Sequence, residues 1–108
     1  MRTFRIPLFA GLLAAVGGPA AAAPSAVDQQ ALRVRSLAAT CAQCHGTDGR
    51  GATGSIVPAL AGRPEAATVE QLSAFKAGTR PATVMTQLAK GYSEVQIRQL
   101  AAYFAAQR

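Results

Sequence analysis

Cys41-Ala42-Gln43-Cys44-His45 is the stretch on which the reading of this chain turns. Its two cysteines are the only ones among 108 residues, and its histidine is the only histidine. The two methionines are Met1, at the head of the N-terminal segment, and Met85. The soft ligands of the body of the chain are therefore two thiols, one imidazole and one thioether. A C-x-x-C-H run reads as a c-type haem attachment site, because the two thiols add across the two vinyl groups and the next residue sets its imidazole beneath the iron. Three competing chemistries explain less. Structural zinc wants four Cys or His ligands, and three exist here. A disulfide or a thiol-exchange pair leaves the adjoining histidine without a role. No β-α-β alternation supplies a thioredoxin-like scaffold.

Upstream, Met1-Arg2-Thr3-Phe4-Arg5 gives a charged start, Ile6 to Val16 is apolar, and Gly17-Gly18-Pro19 breaks the run ahead of an alanine tract. This is the three-part pattern of a secretory signal peptide, and the apolar run is too short for a membrane span. Residues 1–23 are expected to be cleaved, with an A-x-A site near Ala22, and an uncleaved anchor is the alternative. Residues 24–108 are then one exported, periplasmic domain with no membrane span. Its nine basic and five acidic residues leave about +4, too few and too scattered for nucleic acid, and there is no Lys/Arg run. A chain this short buries a limited fraction of its surface.

Three helices and no strand pattern predict an all-α domain. Ser25-Ala26-Val27-Asp28 fits a capping box opening a helix with Val34, Leu37 and Cys41 on one face. Residues 46–64, dense in Gly, Pro, Ser and Asp, read as loop, long enough to need something to wrap around. Thr68-Val69-Glu70-Gln71 is a second capping-box candidate, for a short helix through Leu72 and Phe75 that stops at Gly78. Pro81 biases Arg80 toward extended backbone; residues 84–90 fit either a helical turn or a loop. Ser93-Glu94-Val95-Gln96 is a third capping box, followed by Ile97, Leu100, Ala101 and Phe104 at i, i+3, i+4 and i+7.

His45 is the expected proximal iron ligand, its other ring nitrogen donating to a backbone carbonyl that fixes tautomer and orientation. Met85 is the distal candidate. Its competing role is core filling, but the chain has no second histidine, and Lys90 is a poor ligand at neutral pH. A His/Met pair favours ferrous iron and suits electron transfer. A five-coordinate haem that binds small ligands or peroxide is the rival from the enzyme class. Arg63, Lys76, Arg80 and Lys90 could steer an acidic partner, or could simply be solvated.

These residues resemble the class I c-type cytochromes over roughly residues 28 to 107. The matching stretches are Cys41-x-x-Cys44-His45-Gly46, Val57-Pro58-Ala59-Leu60-Ala61-Gly62, Met85, and Leu100-Ala101-Ala102-Tyr103-Phe104. The resemblance implies a small fold of three to four helices around one covalent haem c. It also implies that the Pro58 carbonyl accepts the proximal histidine's hydrogen bond and that Tyr103 crosses the first helix near the haem. One departure stands out: the family's small residue at that crossing is replaced by Arg33-Val34-Arg35-Ser36, so that either the helices cross further apart or the contact shifts to Ser36 or Ala38. Cys44 to Gly49, Phe75 to Arg80, and Met85 with Ala89 to Ser93 look like the cytochrome subunit of flavocytochrome c sulfide dehydrogenases. That likeness implies electron transfer from a sulfide-oxidising flavoprotein partner; a free-standing carrier is the alternative.

Overall fold

The computed structural model describes residue 18 and residues 22–108. The expected leader therefore lies almost wholly outside the described residues. Among those described, all regular structure is helical: α1 (Ala26–Ala39), α2 (Ala42–His45), a 3-10 turn (Thr47–Gly49), α3 (Glu65–Ala77), α4 (Met85–Lys90) and α5 (Glu94–Ala105). None of these helices is long and apolar enough to cross a membrane.

Local chemistry sets the ends of α1 and α5. The Ser25 hydroxyl accepts from the Asp28 amide at 3.2 Å, and the Ser25 amide donates back to the Asp28 carboxylate at 3.3 Å. Ser93 and Gln96 repeat the reciprocal pair at 3.2 and 2.8 Å. Each box satisfies two amides that the first helical turn would leave unpaired. On α5, Ile97, Leu100, Ala101 and Phe104 are each at most 2 % exposed. This stripe faces the rest of the molecule, and each of its three large side chains contributes about 1.5–3 kcal/mol by burial.

The middle helix begins earlier than its capping pattern suggested. α3 starts at Glu65, behind Pro64, with no side-chain cap. Thr68 lies a turn inside, buried, and its hydroxyl points back at the Pro64 carbonyl 3.4 Å away. Pro64 pre-sets the backbone for helix entry and Glu65 complements the positive helix end, so Thr68 is released to pack. Gly78 ends the helix, as expected. Residues 85–90 form the short α4.

α5 packs on both α1 and α3, and α3 packs on α4. At the α1–α5 contact the buried small residue is Ala38, 3 % exposed and clustered with Leu100 and Phe104. Ser36 is exposed. Of the two positions open to the shifted contact, Ala38 is the one the helices use.

Candidate functional site

Between these helices lies a cavity of about 430 Å³, and Cys41, Cys44, His45 and Met85 all line it. α1 runs into α2 with one intervening residue pair, so both cysteines and the histidine are delivered to one wall. No disulfide joins the thiols; Cys44 is exposed and Cys41 half-buried. Burial pushes the Cys41 thiol above its ordinary value, partly offset by hydrogen bonding to Thr40 and Tyr92. Met85, the first residue of α4, stands on the wall that α3 and α4 build.

His45 is buried, and its Nδ1 lies 2.7 Å from the Pro58 carbonyl. A carbonyl can only accept, so Nδ1 carries the proton and Nε2 keeps its lone pair for a metal. Pro58 is the residue the family resemblance nominated for this bond. The main chain around it is held from several points. The Gly51 amide donates to the His45 carbonyl at 2.7 Å, and the Leu60 and Ala61 amides donate to the Gly49 carbonyl at 2.7 and 3.0 Å.

The remaining wall is largely apolar: Leu60, Leu72, Phe75, Val84, Leu88, Leu100 and Phe104. Two cations, Arg63 and Arg80, also line it, with no carboxylate among the lining residues. Arg80 lies over the Phe75 ring, 5.3 Å from its centroid. Of the four basic residues considered as a surface patch, Lys76 is instead engaged, donating to the Tyr92 carbonyl at 2.6 Å and pairing with Glu94 at 3.1 Å.

Tyr103 does not line the cavity. It packs against the Ala38, Leu100 and Phe104 cluster, and its hydroxyl donates to Asp48 Oδ1 at 2.7 Å. The aromatic of α5 that reaches the cavity is Phe104, edge-on to Tyr103 with ring centroids 5.3 Å apart. Sequence reasoning placed Phe104 on the packing face of α5 but missed it as a wall of the site. The periodic run Thr68, Leu72, Phe75 carried a signal for the α3 wall. Nothing in the sequence marked Asp48 apart from the turn formers around it.

The residues present suit a haem: two thiols, an imidazole of fixed tautomer and a thioether converge on one apolar cavity, with two arginines to balance acidic substituents. The cytochrome c family model matches residues 31–107, and the chain belongs to that family. It is an electron-transfer protein carrying one haem c, attached through Cys41 and Cys44. The chain is 39 % identical over 90 residues to the cytochrome subunit of sulfide dehydrogenase of Chlorobaculum tepidum, covering 83 % of this chain and 79 % of that one. The thiosulfate dehydrogenase electron acceptor of Thiomonas intermedia is 41 % identical over 68 residues, 63 % of this chain and 31 % of its own length. Among solved structures, cytochrome c4 of Acidithiobacillus ferrooxidans superposes with a TM-score of 0.57 at 41 % identity, covering 61 % of this chain and 37 % of that one. The chain thus spans most of the first relative and about a third of the other two.

Proposed function

We propose that this protein is a periplasmic single-electron carrier, exported by a leader over residues 1–23, with residues 24–108 as its monohaem domain and His45 and Met85 as axial ligands. The observation that carries the reading is the shared cavity: the fixed imidazole and the lone thioether both face the space the thiols border. When bound, the haem supplies an Fe(II)/Fe(III) couple. His45 holds Nε2 toward that space, with Nδ1 spent on Pro58. Met85 would supply the second axial ligand and leave no open coordination position, which favours electron transfer over exogenous ligand binding. Leu72, Phe75, Leu100 and Phe104 exclude water, and Arg63 and Arg80, the two cations lining the cavity, would balance a haem's carboxylates. The ferric protein is expected to show a methionine–iron charge-transfer band near the red edge of the visible spectrum, lost in Met85→Ala. A wild-type protein without that band at neutral pH, whose reduced form binds carbon monoxide rapidly, would refute Met85 as a ligand. Intact mass of the exported protein reads the leader cleavage directly.

We further propose a redox flavoprotein that oxidises sulfide as the electron donor. Support comes from the likeness to a sulfide dehydrogenase cytochrome subunit over most of both chains. Purification of the holoprotein from its native periplasm should bring a flavin-containing chain with it. Recovery of the haem protein alone, with no reduction by sulfide in the presence of the soluble fraction, favours the free-standing carrier.

A further inference from the structure

The turn that follows His45 is held by an unusually complete set of polar contacts. Asp48, in its middle, adopts φ 53° and ψ 25°, the one left-handed backbone among the described non-glycine residues. Such a conformation costs about 1–2 kcal/mol for an L-residue and persists where the surroundings enforce it. Here both carboxylate oxygens are engaged. The Tyr103 hydroxyl donates to Oδ1 at 2.7 Å, and Arg50 Nη1 donates to Oδ2 at 2.9 Å. Arg50 is itself anchored, since its Nε donates to the Arg108 main-chain oxygen at 2.9 Å.

Tyr103 is presented by α5, beside the helix's buried stripe, so its hydroxyl comes from a rigid element. The turn it grips touches His45 by two main-chain routes. Immediately after Asp48, the Gly49 carbonyl holds the Leu60 and Ala61 amides, two and three residues from the Pro58 carbonyl that takes the imidazole proton. Immediately after Arg50, the Gly51 amide holds the His45 carbonyl. A displacement of the turn therefore moves the ring's acceptor and the residue's own backbone together.

We propose that Tyr103, Asp48 and Arg50 are positioning residues for His45, a clasp that fixes the imidazole by fixing the turn on which both its anchors depend. The proposal rests on the reading of His45 as the proximal ligand. It also gives Tyr103 a part in the site that does not require touching the cavity.

The test is hydrogen exchange by NMR on the reduced, diamagnetic holoprotein, following the His45 Nδ1 proton, the Gly51 amide and the amides of Leu72 and Leu100 as references. Asp48→Gly adopts the left-handed turn without strain but removes the carboxylate; Tyr103→Phe removes one hydroxyl; Asp48→Asn keeps an acceptor for Tyr103 and loses the charge. Loss of a hydrogen bond to a charged group should raise exchange at His45 and Gly51 about tenfold in Asp48→Gly and Tyr103→Phe, and less in Asp48→Asn, with the reference amides unchanged. Two results overturn the proposal: rates within twofold of wild type at His45 and Gly51, or an equal rise at every amide, which marks a staple acting on global stability alone. Failure of the underlying reading shows separately, as a wild-type protein whose His45 ring protons lack the large upfield shifts of an axial haem ligand.

Discussion

Gly49→Ala should be among the most damaging small substitutions in this protein, and the structure separates its two causes. Gly49 has φ +74°, and a Cβ there would stand 2.8 Å from Phe104 Cδ1 and 2.9 Å from Leu60 Cβ. Carbon atoms pack at about 3.5–4.0 Å, so both neighbours would have to retreat by more than half an ångström. The left-handed backbone costs an L-residue about 1–2 kcal/mol. Overpacking adds about 1–3 kcal/mol, because the ring of Phe104 is buried and the Gly49 carbonyl is tied to two amides. The total of about 2–5 kcal/mol is a large share of the roughly 5–15 kcal/mol that holds a domain together. Gly54 is the internal control: φ is +77° and nothing lies within 4 Å of its Cβ position. Gly54→Ala should lose only the backbone part, about 1–2 kcal/mol. Guanidinium unfolding of the two ferric holoproteins, followed by far-UV circular dichroism, gives both numbers. Equal losses in the two variants would refute the packing argument.

Other perturbations address other parts of the fold. Ile97, 0 % exposed, should cost about 2–5 kcal/mol as Ile97→Ala, read as a shift in the denaturant midpoint. Lys76→Met keeps the aliphatic stem but leaves the Tyr92 carbonyl without its donor, at about 1 kcal/mol, whereas Glu94→Gln should change stability by less than about 0.5 kcal/mol because that carboxylate is well exposed. Equal effects would show that the ion pair, and not the carbonyl bond, holds the α3–α5 corner. The Tyr103–Asp48 bond also has a pH signature. The Tyr103 hydrogen bond first, then Arg50 with a smaller contribution from Arg35, holds the Asp48 carboxyl below its ordinary value of about 3.9; the same bond first, then burial, raises the Tyr103 phenol above about 10. A depressed acid contributes stability above its unfolded pKa and loses it as pH falls through the folded value; a raised phenol contributes below its unfolded pKa and loses it as pH rises through the folded one. The stability difference between wild type and Tyr103→Phe should thus be flat between about pH 4 and 10 and shrink outside that window. A difference undiminished at both extremes would count against the bond.

How much the sequence revealed follows the range of each interaction. Ser25–Asp28 and Ser93–Gln96 are bonds between residues three apart, so the starts of α1 and α5 were legible. The candidate ligand set was legible from scarcity alone, since the body of the chain holds so few soft atoms. The start of α3 was misplaced because Thr68 looks like a cap until tertiary packing buries it. α4 offered no cap and only six residues of pattern. Tyr103 and Phe104 are neighbours, so they point about 100° apart on the helix, and only the rotation of α5 against α1 decides which one faces the cavity. The Asp48–Tyr103 bond spans 55 positions, beyond any local signal.

The two walls of the site differ in how they would open. The histidine wall is tied by two short hydrogen bonds, one at the ring's Nδ1 and one at the residue's own main-chain carbonyl. The methionine wall is a helix of six residues, far below the length at which a helix persists alone, and packing on α3, together with the proposed Met85 ligation, is what holds it. Fluctuations that detach a segment without unfolding the domain draw on its weakest element, so α4 should lift first, on a microsecond-to-millisecond scale. The protein then has a fixed side and a hatch, and a small neutral molecule would enter from the Met85 side at a rate set by α3–α4 packing. Faster amide exchange at Leu88 and Ala89 than at Leu100 would mark that hatch; equal protection would close it.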